Sequence, residues 1–381
     1  MQSVAIGWYL YDLTGDPMVL AYAGLSVFVP IALFTLPGGD VADRVDRRFI
    51  LGAAHLVQAA GSAVLVFLSF AKTTDPWPFY AVLALAGTAR AFSGPAVASF
   101  LPFLVPREQF GPAVAWSSSA NQIATVLGPA VGGLIYLAGA EATFAACVLV
   151  SLLVAVSMLA IRARGGVRAD ITGTRVSRVV EGLRYLRRQR VLLGAISLDL
   201  FAVLLGSITA LLPIYARDIL NVGPDGLGMM RSSLAVGAVA MGLLLTQLPV
   251  ARQPHAGRAL FAGVALFGVA VLVFGVSESF FLSTVTLAIM GAAGMVSVFV
   301  RSTVIQLGTP DDMRGRVSAV HSLFVGAANE LGDFRAGAVA AWIGAVPAVL
   351  AGGVATLAVV GLWSWLFPEL RKVERLADVK P

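Results

Sequence analysis

Long apolar stretches alternate along the chain with short polar or charged segments, and this pattern predicts membrane-spanning helices. Each stretch holds about 20 to 28 residues, enough for a helix to cross roughly 30 Å of hydrocarbon. The stretches lack the polar and apolar alternation of a barrel strand, so we expect an all-α membrane protein. The pattern predicts eleven full spans, at 18–41, 49–70, 78–104, 110–138, 142–161, 191–216, 227–250, 258–276, 280–307, 316–341 and 346–367.

Residues 1–12 form a further apolar segment that is too short to cross a bilayer. A helix rises about 1.5 Å per residue, so this segment reaches only about 18 Å. We therefore expect it to be half of a first helix that is truncated at the N-terminus. Two explanations stay open: a start codon assigned too far downstream, or an incomplete and inactive chain.

The composition agrees with a polytopic membrane protein. Hydrophobic residues make up 58% of the chain, charged residues 13%, and the mean hydropathy is +0.86. A soluble core of this size could not bury so much apolar surface. The formal net charge of +6 does not indicate nucleic-acid binding, because the basic residues lie in loops that flank the spans.

Lysine and arginine are concentrated in alternate loops, which predicts the orientation of the chain. The loops on the opposite side contain only Lys72 and Arg217. By the positive-inside rule the basic loops and the C-terminus should be cytoplasmic. The basic loops lie at 43–48, 105–109, 162–190, 251–258, 309–316 and 368–381.

A long basic stretch at 163–190 divides the chain into two comparable halves. Valines and leucines recur in it at helical spacing with arginines between them, so we expect an amphipathic helix on the inner membrane surface. The predicted domains are an N-terminal bundle at 1–162, this linker, a C-terminal bundle at 191–367 and a tail at 368–381.

The second half repeats the first, which predicts two parallel bundles related by an axis along the membrane normal. When the halves are aligned, small residues and prolines fall on the same positions. The aligned pairs include Gly87 with Gly291, Pro106 with Pro310, Ser118 with Ser322, Gly128 with Gly332, and Gly133 with Gly337.

The segment Gly39–Arg48 places three arginines and three aspartates between two apolar stretches, so we expect a tight aqueous turn. Its pattern, G-x-x-x-D-R-x-x-R-R, resembles the signature of the major facilitator superfamily. The resemblance implies a transporter with two six-helix bundles that rock around a central substrate. It also implies a conformational latch at this turn, formed by Gly39, Asp43, Arg44, Arg47 and Arg48.

Two further motifs support the resemblance. Arg90 begins an R-x-x-x-G pattern, which the family links to proton transfer, and we expect its side chain to face the bundle interior. The sequence 127–133 ends in G-P-x-x-G-G, which resembles the pattern of proton-coupled antiporters. Glycines spaced by four allow close helix contact, and a proline kinks a helix. The antiporter residues are Gly128, Pro129, Gly132 and Gly133.

Residues 314–337 resemble a subgroup that includes the bacterial enterobactin exporter and macrolide-efflux proteins. Relatives usually have an acidic residue where this chain has Arg335, which could instead neutralise Asp333 or Glu330. These two carboxylates share a helix face, so one of them could exchange a proton, although a structural salt bridge is the alternative. The candidates for proton transfer are Arg90, Asp199, Glu330 and Asp333; those for polar cavity contacts are Asn329, Arg301 and Arg335.

These observations predict a secondary transporter of the bacterial inner membrane that exports a siderophore-like or drug-like amphipathic molecule by proton antiport. The chain shows no metal-ligand spacing among its histidines and no nucleotide-binding loop, so we expect neither an enzyme nor a cofactor, with the proton gradient as the energy source. We expect it to act as a monomer. The alternatives are a nutrient importer, as symporter or uniporter, and a membrane sensor or scaffold that transports nothing.

Overall fold

The computed structural model describes residues 1–161, 175–247 and 255–373, and in these ranges the regular structure is entirely helical. The start of the predicted linker and most of the predicted C-terminal tail lie outside these ranges. The helices are α1 (Gln2–Thr14), α2 (Pro17–Arg44), α3 (Arg47–Phe70), α4 (Trp77–Phe100), α5 (Phe110–Tyr136), α6 (Ala140–Ala160), α7 (Arg175–Arg188), α8 (Arg190–Gly206), α9 (Leu212–Ile214), α10 (Pro224–Gln247), α11 (Ala256–Gly275), α12 (Phe280–Leu307), α13 (Asp311–Ile343), α14 (Ala345–Leu366) and α15 (Pro368–Arg371).

Each predicted span corresponds to a long helical segment. Among the described residues, eight such segments are both long and apolar enough to cross a bilayer. The other three, α4, α5 and α13, are long enough but more polar: α4 carries Arg90, α5 carries the sequence SSSANQ, and α13 carries several charged residues. The eight are Pro17–Ala42, Arg47–Phe70, Ala140–Ala160, Arg190–Ile219, Pro224–Leu245, Ala256–Gly275, Phe280–Leu307 and Ala345–Leu366.

The prediction of a turn over the whole of Gly39–Arg48 is wrong. Helix α2 continues through Arg44, and only Val45 and Asp46 separate it from α3. The interruption is this short because the Asp46 side chain caps α3 by accepting a hydrogen bond from the backbone N–H of Arg48 at 3.0 Å.

The prediction of one continuous helix over 191–216 is also wrong. Helix α8 ends at Gly206, and Ser207 and Ile208 are not helical. The chain then makes a 3₁₀ turn at Thr209–Leu211, one α-helical turn at α9 and a π-helical segment at Tyr215–Ile219. A Gly-Ser pair and a proline, Pro213, lie at the break, and both features interrupt helices.

The chain divides into two compact units, Met1–Val176 and Ser177–Pro381. In the first unit, α2 packs mainly against α4, and α3 packs against α4 and α6. In the second unit, α10 packs mainly against α12, and α11 packs against α12 and α14. The two units therefore share one order of helix pairing, as expected of parallel repeats.

Equivalent glycines form the tightest helix contacts of the two units. A Cβ atom at Gly87 of α4 would lie 2.5 Å from the carbonyl oxygen of Val27 in α2. Its repeat partner Gly291, in α12, lies even closer to the backbone of Leu234 in α10. Helices in lipid gain little from hydrophobicity, so backbone approach at small residues is a main source of packing energy.

We predict that Gly291→Ala lowers the stability of the protein by about 1–3 kcal/mol, because the added methyl group would force α12 away from α10. The matched control is Gly294→Ala on the same helix, where a Cβ would meet open space. That variant should be neutral, or more stable by up to about 1 kcal/mol. Thermal unfolding in detergent measures both, and equal melting temperatures for the two variants would contradict the packing argument.

Candidate functional site

The break after α8 is bridged by two side chains of α13. The Ser207 hydroxyl donates a hydrogen bond of 2.5 Å to Oδ1 of Asp333, which also accepts from the backbone N–H of Ala210. Arg335 donates from Nε to the carbonyl oxygen of Leu204 at 2.8 Å, and from Nη2 to that of Ser207 at 3.2 Å. Backbone groups released by the break therefore find partners inside the bundle, as hydrocarbon surroundings require.

A glycine lets α13 come close enough to make these bonds. A Cβ atom at Gly332 would lie 3.0 Å from Cβ of Ser207 and 3.0 Å from the carbonyl oxygen of Val203. Gly332 is the repeat partner of Gly128 in α5. The contact between α8 and α13 is thus fixed by a small residue beside the two charged ones.

The predicted cavity residues occupy different surroundings. Arg335 binds backbone carbonyl oxygens, and its charge also acts on Asp333. That it neutralises Asp333 or Glu330 stays a prediction. Glu330 is half-buried and takes part in an interaction of its own, and Asn329 is exposed. Helix α10 adds Arg231, whose charge acts on Asp333 and whose buried Nε has no hydrogen-bond partner in the described part of the chain. Arg231 was not predicted as a site residue, although a charged residue inside an apolar span is itself a signal.

Asp199 and Arg301 form an ion pair between α8 and α12. Arg301 is 3% exposed and Asp199 is 8% exposed. The Ser297 hydroxyl donates a further hydrogen bond of 3.1 Å to Oδ1 of Asp199. A pair this enclosed matches the alternative that the sequence left open, a structural salt bridge.

Two arginines of the predicted latch connect helices of the first unit. Arg47 is only 1% exposed; its Nε donates to Oγ of Ser99 at 2.8 Å, and its guanidinium carbon lies 4.6 Å from the centre of the Phe103 ring. Arg48 forms a salt bridge with Asp46 at 2.6 Å and donates from Nη1 to the carbonyl oxygen of residue 161 at 2.6 Å. These contacts join the start of α3 to the ends of α4 and α6.

The other latch residues lie at the end of α2. Gly39 is buried, Asp43 lies in the last turn, and Arg44 is exposed. Arg90 is exposed on α4 and takes part in an interaction of its own, and its facing the bundle interior stays a prediction.

The antiporter motif lies on α5, which runs through Pro129 without ending. Gly132 and Gly133 are buried, and α5 packs on α1 and α6. A Cβ atom at Gly132 would lie 2.6 Å from Cα of Met1, and one at Gly128 would lie 3.8 Å from the Met1 nitrogen. The expected close contact is therefore present, and its partner is the start of α1.

A metal site finds no support in the described ranges, where no group of three or more histidine, cysteine, aspartate or glutamate side chains comes together.

The helix arrangement is that of a major facilitator superfamily transporter. A solved structure of a peptide transporter of the POT type, in complex with sulfate, superimposes with a TM-score of 0.76, covering 98% of this chain and 93% of that chain at 13% identity. The model of the transmembrane secretion effector family matches residues 1–380, and the chain belongs to this family. It is an integral membrane transporter.

Two curated relatives are efflux proteins by name. Macrolide efflux protein A of Streptococcus pyogenes is 28% identical over 337 residues, which span 86% of this chain and 82% of the relative. The enterobactin exporter EntS of Escherichia coli O1:K1 is 24% identical over 339 residues, spanning 88% of this chain and 80% of the relative.

We predict that Arg47→Ala lowers stability by about 1–3 kcal/mol, because it removes a buried hydrogen bond and a cation–π contact. The exposed Arg44→Ala, three residues earlier, should change stability by less than about 0.5 kcal/mol. Thermal unfolding of the purified variants compares them. A melting temperature of Arg47→Ala equal to that of Arg44→Ala would show that the contacts contribute nothing.

We predict that Arg301→Ala costs about 3–5 kcal/mol of stability, because it leaves the Asp199 carboxylate buried without its counter-ion. The double variant Asp199→Leu/Arg301→Met should cost less than Arg301→Ala alone. The exposed pair Arg190 and Glu369, whose atoms lie 3.1 Å apart, is the control, and Arg190→Ala should cost at most about 1 kcal/mol. A double variant that loses as much stability as Arg301→Ala, or more, would argue against a coupled pair.

Proposed function

We propose that this transporter exports an amphipathic small molecule across the bacterial inner membrane in exchange for protons, by alternating access. The names of the two relatives support export over import. The sequence pattern supports the orientation, with the basic loops and the C-terminus in the cytoplasm. The antiporter motif on α5 supports proton exchange.

The observation that carries the proposal is the carboxylate of Asp333 at the break in α8. Ion and substrate sites of secondary transporters lie where helices are discontinuous, because the freed backbone groups there can bind. An ionisable residue inside the membrane costs free energy, so its presence there points to a function. Asp333 contacts the neutral Ser207 hydroxyl and a backbone N–H, and both groups can also serve a protonated carboxyl.

Asp333 suits a proton carrier better than Asp199 does. Asp199 is held in a direct salt bridge with buried Arg301, which protonation would break, whereas Asp333 hydrogen-bonds to neutral groups while the charges of Arg231 and Arg335 act on it. Arg335 donates hydrogen bonds to backbone carbonyl oxygens in addition to acting on Asp333 through its charge. In the proposed cycle, Asp333 takes a proton in the outward-facing state and releases it inward as cargo binds, while Asp43 and Arg44 latch the cytoplasmic side.

The cargo class follows from the relatives and from the predominantly apolar helices. One relative is named for macrolides and the other for enterobactin. We therefore propose a drug-like or siderophore-like molecule with a polar edge and a large apolar surface.

The test is transport by the purified protein in liposomes, with a labelled macrolide and labelled enterobactin as probes and an imposed pH gradient. We expect cargo to move against its own gradient when protons flow the other way. Asp333→Asn should abolish the response to the pH gradient, because the amide cannot carry the proton. The matched control is Glu278→Gln, which removes an exposed carboxylate between α11 and α12 and should transport normally.

Two outcomes would overturn parts of the proposal. Transport by the unaltered protein that ignores the pH gradient would reject proton antiport. Full gradient-driven transport by Asp333→Asn would reject this carboxylate as the carrier. Accumulation of the probe by whole cells, where export predicts its loss, would favour an importer.

A further inference from the structure

Helix α7 comes between the two repeats in the sequence, and it presents two different faces. Its fourteen residues contain five arginines and one glutamate. One face packs on the second unit, and the opposite face is exposed and basic. The proposed transport cycle uses neither face.

The packed face is held by several contacts near the junction of α12 and α13. Leu186 is fully buried in the hydrophobic core of the second unit. The Tyr185 hydroxyl donates to the carbonyl oxygen of Gly308 at 3.3 Å. A Cβ atom at Gly182 would lie 2.7 Å from the carbonyl oxygen of Arg316, so α7 rests directly on the α13 backbone. These contacts fix the rotation of α7 about its own axis.

The opposite face carries an arginine cluster made up of Arg184, Arg187 and Arg188. All three side chains are exposed, and no acidic partner contacts them within the described residues. Glu181, the acidic residue of the helix, is 3.1 Å from Arg316 and so is directed to the packed side. The arginine cluster is thus a concentrated positive charge that needs counter-ions from outside the chain.

Two apolar side chains accompany the arginines on the exposed surface. Val180 is 47% exposed and Leu183 is 36% exposed. Each lies three or four residues from an arginine of the cluster, so they share its side of the helix. Arginines next to exposed valine and leucine are typical of a helix at a membrane surface, where the charges meet headgroups and the apolar groups enter the acyl boundary.

The neighbouring elements place this face at one end of the second unit. Arg190, which starts α8, pairs with Glu369, and the backbone N–H of Gly257 at the start of α11 donates to the carbonyl oxygen of Val373. The backbone N–H and Arg190 keep the pKa of Glu369 below its usual value, so this exposed carboxylate is charged and already paired. Arg190 is therefore occupied, and the arginine cluster of α7 is not.

We propose that the arginine cluster of α7 binds the headgroups of anionic phospholipids, so that α7 joins the second unit to the inner leaflet. Charge complementarity favours an anionic lipid, because each basic side chain near such a surface adds to the attraction. The exposed valine and leucine favour a bilayer over a soluble anion, since a soluble anion gains nothing from them. The inference does not depend on what the protein transports.

The first test measures stabilisation of the full-length protein in detergent by added phosphatidylglycerol and, separately, by phosphatidylcholine. We expect phosphatidylglycerol to raise the melting temperature and phosphatidylcholine to have little effect. In the triple variant Arg184→Gln/Arg187→Gln/Arg188→Gln, the phosphatidylglycerol concentration for half-maximal stabilisation should rise about tenfold or more.

The matched control removes the same charge elsewhere at the same end. Arg258, Arg371 and Lys372 are exposed and lie near the contact between the start of α11 and the segment that follows α15. The triple variant Arg258→Gln/Arg371→Gln/Lys372→Gln should keep the response to phosphatidylglycerol. If both triple variants lose the stabilisation by phosphatidylglycerol equally, the effect depends only on net charge and the proposal is overturned. Full stabilisation of both variants would overturn it too.

Two further measurements keep the test decisive. The variant Arg184→Lys/Arg187→Lys/Arg188→Lys retains the charges, so it should respond like the unaltered protein even if the glutamine variant folds poorly. Inorganic phosphate and glycerol phosphate are added at the same concentrations, and stabilisation equal to that from phosphatidylglycerol would show a soluble-anion site instead.

The depth of the helix in a bilayer gives an independent result. A spin label on Val180→Cys, in a Cys147→Ser background, should be more accessible to oxygen than to a water-soluble nickel complex in liposomes with phosphatidylglycerol. A label on Glu278→Cys, outside the helices, should show the reverse. A nickel-accessible label at position 180 would place this face in water and reject the proposal.

Discussion

The structure of the second unit depends on one constraint: a backbone polar group inside hydrocarbon must find its partner within the protein. The chain breaks its helix at Ser207, deep in an apolar segment, and so creates donors and acceptors that water cannot reach. Helix α13 supplies Asp333 and Arg335 to these groups. The polar face of α13, unusual for a membrane helix, is the counterpart of the break in α8. Relatives usually have an acidic residue at the position of Arg335. The arginine of this chain has a local role, because its guanidinium can donate to two carbonyl oxygens at once.

The same constraint explains why the repeats preserve glycines more clearly than they preserve large apolar residues. Hydrophobic side chains on a lipid-facing surface gain nothing by turning inward, so helices associate where their backbones can approach. Gly87 and Gly291 allow this between equivalent helix pairs of the two units. Gly332 does so where α13 meets α8, and Gly132 does so where α5 meets the start of α1. In the second unit, this approach also brings Asp333 within reach of Ser207.

The sequence predicted the elements well where burial and length decide them. Helix α12 has the predicted bounds of 280–307, and α7 has the predicted amphipathic form. Two predictions failed because charge and hydropathy indicate where a residue lies relative to the membrane, but not whether its backbone is helical. The charges of Gly39–Arg48 do lie at a helix junction, yet a helix can extend past the membrane edge, and α2 does. The break in α8 produces no change in hydropathy; its signals were Gly206, Ser207 and Pro213. The partners of single side chains, such as Arg301 for Asp199, could be identified only from the folded structure.

The two carboxylate sites of the second unit differ in what protonation would change. At Asp199 the charge is balanced by Arg301 on α12, so a proton there would disrupt a contact between two continuous helices. At Asp333 the hydrogen bonds go to Ser207 and Ala210, which both belong to the break, while the charges of Arg231 and Arg335 act on the carboxylate. A proton on Asp333 would weaken its acceptor role toward these two groups and remove the negative charge that faces Arg231 and Arg335. Its effect on hydrogen bonding would therefore fall on the segment after α8, where the helical hydrogen bonding is interrupted and resists a change of shape less. In the proposed exchange cycle, this is how proton binding could alter the conformation of a helix without unfolding the bundle.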